Sequence, residues 1–183
     1  MEKTMETARL LLRPLTMDDA ADVFDYSRNC EVGPSAGWKP HESLEETKTI
    51  LREQFVGRQD VFGIVLKQTG RVIGIIALLP DPRRKNERAR MVDCALAREY
   101  WCSGYMTEAA QAVLEYAFRD LRLELVAAYC SPNNGRVRRV LEKCGFQYEG
   151  SLRRCETRYD GVKLDADCWS RLTEAAGKIE SQR

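Results

Sequence analysis

Arg98-Glu99-Tyr100-Trp101-Cys102-Ser103-Gly104-Tyr105-Met106-Thr107-Glu108-Ala109 is the most telling stretch of this chain. It leads from a strand-like segment through a short polar loop directly into an amphipathic helix. A helix start presents backbone N–H groups with no acceptor inside the helix, together with a partial positive charge. That combination is a ready site for an anion. Gly104 lets the chain turn tightly and lets a ligand come close to the backbone. Such a corner suits a phosphate or a diphosphate. The plainer reading of Gly104 is an ordinary turn glycine.

Downstream, Met106, Ala109, Ala110, Val113, Leu114, Ala117, Phe118 and Leu121 recur at intervals of three and four, one apolar helix face that belongs to a core. Residues 123–130 are almost continuously apolar, as expected of a buried central strand. A turn over 131–135 precedes a short helix over 136–144, and Gly145 is placed to close it. Two strands follow, over 148–157 and 164–172, joined by a turn at 159–162. Upstream lie a strand over 88–97, a charged turn over 80–87, and two strands over 61–67 and 71–79 joined through Thr69-Gly70. Earlier still come a strand over 9–15 and a helix capped by Thr16, with Asp18 and Asp19 in its first turn, reaching Arg28. Residues 30–40 read as loop. Ser43 and Glu46 have capping-box spacing and open a helix that runs to Phe55. The order is mixed α+β around a β-α-β core, in one domain over 7–172 with a polar tail over 173–183.

The charges nearly cancel, at net +1, so no general affinity for nucleic acid or an anionic membrane is expected. The longest apolar run, 72–79, is far short of the ~20 residues of a spanning helix. The first residues lack the apolar core of a signal peptide. Seven cysteines form an odd set without a Cys-x-x-Cys pair, and Cys94, Cys130 and Cys168 sit in apolar runs. Free thiols in a reducing cytosol fit this usage, so a cytoplasmic location is expected. With His41 the only histidine, a histidine-based metal site is not expected.

Several stretches, in this order, resemble the GCN5-related N-acetyltransferases (GNAT), in particular their ribosomal-protein N-terminal acetyltransferase branch. They are Thr7-Ala8-Arg9-Leu10-Leu11-Leu12-Arg13-Pro14-Leu15, Val72-Ile73-Gly74-Ile75-Ile76, and Tyr100 through Ala109. Asn134 follows, then Val140-Leu141-Glu142-Lys143-Cys144-Gly145-Phe146, Glu149-Gly150-Ser151-Leu152-Arg153, and Asp165. The resemblance implies the GNAT fold: a mixed, mostly antiparallel sheet of about seven strands with about four flanking helices, splayed near its middle. Acetyl-CoA would be the cosubstrate and would lie in that gap, with no metal involved. Leu96 and Ala97, at the end of a strand, would hold the pantetheine arm. Trp101, Cys102, Ser103, Gly104, Tyr105, Met106 and Thr107 would receive the diphosphate, and Asn134 would hold the CoA arm. From their position in the sequence, Trp38 and Glu46 are candidates to line the acceptor pocket; the plainer reading of Trp38 is that it anchors a loop. The resemblance implies a monomer or homodimer.

The sequence departs from the family pattern at three places. Cys102 stands where the first of two loop glycines is usual, which is tolerable if its φ is negative. Val137 replaces a serine near the CoA sulfur, and Leu141 replaces a tyrosine that some relatives use as an acid. Three candidates remain for the base that deprotonates the amine: Glu156, Tyr129 and Glu46. Glu156 is favoured because a phenol with a pKa of ~10 is a poor base at neutral pH. The acceptor is expected to be a protein N-terminal α-amine. Alternatives are a small amine such as an aminoglycoside or polyamine, to which Asp18, Asp19, Asp22, Glu42, Glu45 and Glu46 would lend an acidic pocket, or a non-catalytic CoA-binding module. Cys102 and Cys130 read as inert thiols, 83–88 as a solvated hairpin tip, and Arg136, Arg138 and Arg139 as either CoA-phosphate ligands or solvent-facing charges. His41 is a second candidate for the acceptor pocket, and Asp165 either positions the amine or caps a turn.

Overall fold

A computed structural model describes residues 3–173. The expected tail over 173–183 therefore lies, apart from Thr173, outside the described residues. The chain forms strands β1 (Met5–Glu6) and β2 (Leu10–Arg13), then helices α1 (Ala20–Ser27), α2 (Val32–Ser35) and α3 (Leu44–Ile50). Strands β3 (Val61–Leu66), β4 (Val72–Pro80) and β5 (Ala89–Leu96) follow, then α4 (Tyr105–Arg119), β6 (Leu125–Cys130), α5 (Gly135–Lys143), β7 (Gln147–Thr157) and β8 (Lys163–Leu172). The eight strands are ordered β1-β2-β3-β4-β5-β6-β8-β7 in an open sheet. The β5–β6 pair is parallel, and the β1–β2, β2–β3, β3–β4, β6–β8 and β7–β8 pairs are antiparallel. The eighth strand is the two-residue β1, too short to leave a periodic signal.

The chain divides into two compact units. The first takes the residues up to Ala77 and adds Cys94–Ala109. Its core is the apolar side of β2, β3 and β4 with α1: Leu10, Leu12, Leu51 and Ile64 are fully buried, and Val23, Tyr26, Val65 and Val72 pack with Ala95 and Ala97. Arg13 is held by Asp19, the third residue after the cap Thr16, through bonds of 2.7 and 2.8 Å, and the Thr16 N–H donates to the same carboxylate. The expected loop over 30–40 contains α2. Gly33 permits it: a Cβ there would stand 2.8 Å from the Trp38 carbonyl and 2.9 Å from its ring. The helix from Ser43 is α-helical to Ile50 and widens to a π turn over Leu51–Phe55.

The second unit takes Leu78–Asp93 and the chain from Ala110 onward. Val113, Leu114 and Ala117 of α4 are buried, as their spacing requires, with Val126, Ala127, Ala128, Leu141, Phe146 and Trp169. The β5–β6 pairing covers Ala89, Arg90 and Met91 against Leu125, Val126 and Ala127, while both strands run on to Leu96 and Cys130. On β7, residues 153–155 lie opposite the single Asp165, a bulge with Arg154 at φ +51°. Asp165 secures it by accepting the Arg154 N–H at 2.6 Å, so its observed role is to hold this irregular backbone. All seven cysteines are free thiols, and no helix among the described residues is long and apolar enough to cross a membrane.

Candidate active site

In the first unit, β5 ends against β4 because Gly74 lacks a side chain: a Cβ would stand 2.4 Å from the Ala95 carbonyl oxygen. The Ala97 N–H donates to the Ile73 carbonyl at 2.8 Å, and the Leu96 carbonyl accepts the Trp101 indole N–H at 2.7 Å. The loop therefore starts from an anchored strand end. Trp101 is partly buried on the apolar core, and Arg98 lies over its ring at 4.8 Å while pairing with Glu31. Cys102, Ser103 and Gly104 are exposed. Gly104 has φ +81°, and its carbonyl accepts the Glu108 N–H at 3.0 Å, which makes it the first cap of α4. The N–H groups of Tyr105 and Met106 thus have no acceptor inside the helix. An exposed loop thus leads into a helix start at the place where the sequence reading set its corner.

Cys102 corrects one expectation. Its φ is +61°, not negative, so the second position of the loop also lies in the left-handed region. For a residue with a Cβ that conformation costs roughly 1–2 kcal/mol, and a glycine would pay a smaller entropy cost of about 0.5–1 kcal/mol. Cys102→Gly is expected to raise the unfolding free energy by about 0.5–1 kcal/mol, read as a higher urea midpoint. A midpoint equal to or below wild type would contradict the strain.

Thr7, Arg9 and Glu108 converge on the same loop, which their separation in sequence concealed. Glu108 accepts from the Thr7 hydroxyl at 2.6 Å, the Arg9 N–H at 2.8 Å and Arg9 Nε at 2.7 Å. Burial would raise its carboxyl pKa, but these bonds outweigh that and hold it below the usual range.

Trp38 and Glu46 also belong to the first unit. Trp38 packs on the core and meets the His41 ring at 5.3 Å, so it anchors its loop. His41 Nδ1 lies 2.8 Å from the Thr47 hydroxyl, and burial lowers its pKa. The Ser43 side chain caps α3 by accepting the Glu46 N–H at 3.1 Å, while the Glu46 carboxylate accepts the N–H of Glu42, the residue before the cap, at 2.5 Å, so the reciprocal bond of a capping box goes one residue further back.

In the second unit, Tyr129 on β6 and Glu156 on β7 are gathered around the turn after β4. Asp81 has a fully buried side chain and accepts from the Arg83 N–H at 2.8 Å, the Tyr129 hydroxyl at 2.9 Å and Arg84 Nη1 at 2.9 Å. Burial would raise its pKa, yet these donors bring it below the ordinary value. Tyr129 is pushed up to about 12 by burial and by the Asp81 carboxylate that its hydroxyl serves. That favours the protonated phenol, a hydrogen-bond donor to Asp81 and a poor base. Arg83 lies over the Tyr129 ring at 4.0 Å and bonds Glu156 at 2.7 Å, while Arg84 bonds Glu149, which also accepts from Ser170. Within the segment read as a solvated tip, Arg83 and Arg84 instead form an ion-paired clamp, only 23% and 22% exposed, while residues 85–88 are exposed. Glu156 is the exposed partner, at 46%.

Asn134 caps α5, its side-chain oxygen accepting the Val137 N–H at 3.2 Å. Arg138 pairs with the buried Asp167 at 3.2 Å, and is not simply a solvent-facing charge. Burial raises the Cys130 thiol to about 11, which makes it inert as a nucleophile.

The family model of the acetyltransferase (GNAT) domain matches residues 9–147, and the chain belongs to that family. It is 31% identical over 170 residues to the uncharacterized N-acetyltransferase YoaA of Bacillus subtilis, covering 91% of this chain and 94% of that protein. Among solved structures it is similar to a GNAT-family acetyltransferase of Bacillus anthracis, with a TM-score of 0.81, 25% identity and coverage of 93% of this chain and 98% of the other. A ribosomal-protein-S5-alanine acetyltransferase of Vibrio fischeri shares the fold, with a TM-score of 0.73, 23% identity and coverage of 94% and 97%. The chain is thus an acetyl-CoA-dependent N-acetyltransferase with an amine acceptor.

Proposed function

We propose that the chain transfers the acetyl group of acetyl-CoA to the α-amine of a polypeptide, by direct attack in a ternary complex. The observation that carries the donor side is the anchored loop into α4, with Gly104 at φ +81° and the first helix N–H groups beyond it. Backbone donors at a helix start suit a diphosphate, and the exposed loop lets it approach. Acetyl-CoA supplies an activated thioester; its thiolate, with a pKa of ~8.5 by analogy with cysteine, leaves without a dedicated acid. Val137 and Leu141 are compatible with that.

The acceptor side rests on charge. Five of the six carboxylates that would attract a polycation, all but Asp18, are engaged within the first unit. Asp19 holds Arg13, Asp22 and Asp25 hold Arg71, Glu42 and Glu45 pair with Lys39 and Lys48, and Glu46 holds the Glu42 N–H. An acceptor with a single ammonium asks less of such a surface than a polyamine or an aminoglycoside. An α-amine, with a pKa of ~8, is also the easier amine to deprotonate near neutrality. Glu156 is the proposed base. The incoming ammonium would replace Arg83 at its carboxylate, and Tyr129 stays protonated beside it.

The test is release of free thiol from acetyl-CoA with peptides bearing free N-termini, the same peptides N-terminally blocked, spermidine and an aminoglycoside. Release only with free N-termini is expected. Release with the polycations alone would overturn the acceptor assignment, and binding of acetyl-CoA without release for any amine would favour a CoA-binding module.

A further inference from the structure

The tip of the β1–β2 hairpin and the first turn of α4 are bound together more closely than packing requires. Glu108 uses both oxygens on the tip, one on the Thr7 hydroxyl and Arg9 N–H, the other on Arg9 Nε. The remaining reach of Arg9 goes to the loop. Its Nη1 donates to the Ser103 carbonyl at 3.0 Å, and its guanidinium carbon lies 4.1 Å from the centre of the Tyr105 ring. Its Nη2 lies 3.5 Å from where a Cβ on Gly104 would stand. One guanidinium therefore contacts Ser103 and Tyr105 and lies beside the Gly104 between them. It is also 43% exposed, so it adds positive charge on the open side of the corner.

We infer that Arg9, fixed by Glu108 and Thr7, is a positioning residue for CoA: it locks the Ser103-Gly104-Tyr105 backbone in the diphosphate-binding conformation and adds its charge beside it. This rests on the reading of the loop as the acetyl-CoA corner. The physical logic is preorganisation. The loop is exposed and holds two positive-φ residues, Cys102 and Gly104, so on its own it would sample other conformations. A planar fork held by a carboxylate removes that freedom before the ligand arrives, which a flexible lysine does not reproduce. Thr7-Ala8-Arg9 near the N-terminus and the glutamate after Met106-Thr107 thereby become two halves of one device, with Arg9 and Glu108 99 residues apart.

The experiment measures dissociation constants of the full chain for CoA and for 3′-dephospho-CoA by calorimetry, with urea midpoints alongside. Arg9→Ala is expected to weaken both ligands about tenfold, by similar factors, because both carry the diphosphate. Arg9→Lys restores less than half of the loss, and Glu108→Gln weakens both severalfold. The double variant is no weaker than Arg9→Ala alone, since the two residues act as a unit. Unchanged affinity in Arg9→Ala, a loss confined to CoA, or additive losses in the double variant would each overturn the latch. If Arg9→Ala does not fold, Glu108→Gln carries the test, because it keeps an acceptor for Thr7, and unchanged affinity there overturns the latch. A wild-type chain that binds neither ligand removes the acetyl-CoA reading and the latch together. A wild-type chain that binds both, with variants that bind as well, removes the latch alone.

Discussion

Gly104→Asp is expected to lower kcat/KM for acetyl-CoA by about 100-fold while leaving the fold intact. Gly104 sits at φ +81°, where any residue with a Cβ is strained by roughly 1–2 kcal/mol. Steric crowding is not the main effect, because the nearest atom to the new Cβ, Arg9 Nη2, would be in ordinary contact at 3.5 Å. Charge is. A carboxylate at this position competes with the diphosphate for the same N–H groups and draws Arg9 away from Glu108. Strain and competition together need supply only about 2.8 kcal/mol for a 100-fold loss. The same carboxylate at a helix start favours the helix itself, so the melting temperature should fall little. Gly104→Ala separates the terms, keeping the strain without the charge and losing about tenfold. Steady-state kinetics with acetyl-CoA varied would check both variants. An aspartate variant within threefold of wild type would mean that the diphosphate binds elsewhere.

Glu156→Gln is expected to reduce kcat by about 100-fold with no change in the affinity for CoA. The acceptor amine is mostly protonated near neutrality, and a positioned base contributes ~10²–10⁴ to such a step. Tyr129 is a poor base, with its pKa raised to about 12 and its hydroxyl bonded to Asp81. The Glu46 carboxylate is engaged by the Glu42 N–H. Glu156 is exposed, stands just beyond the β7 bulge, and holds a cation, Arg83, where an ammonium would have to sit. Glutamine keeps an acceptor for Arg83, so the bulge and clamp should survive the substitution. Single-turnover rates with a peptide acceptor give the cleanest measure. Full turnover in Glu156→Gln would remove this residue from the chemistry.

The elements around the proposed donor site were legible in the sequence because their signals are local. The apolar faces of α4 and β6, the cap at Ser43, and Gly104 ahead of a helix start each follow from a few neighbouring residues. What stayed hidden depends on partners far away in the chain. Nothing near Arg9 announces Glu108, and nothing near Arg83 and Arg84 announces Glu156, Glu149 or Tyr129. A charged run between two strands is ordinarily solvated, and only tertiary structure turns it into a clamp. The sign of φ at Cys102 is likewise set by how the loop must pass from Trp101, anchored on Leu96, to the cap at Gly104. Helix α2 was masked by Gly33 and Pro34, and its reason is the Trp38 ring that leaves no room for a side chain at Gly33.

Calorimetric titration of the folded wild-type chain with acetyl-CoA, beside Gly104→Asp, tests the diphosphate corner most directly. The expected result is saturable heat with one site per chain in wild type and about 100-fold weaker binding in the variant. No heat from wild type at millimolar acetyl-CoA, or equal binding by both proteins, would contradict it.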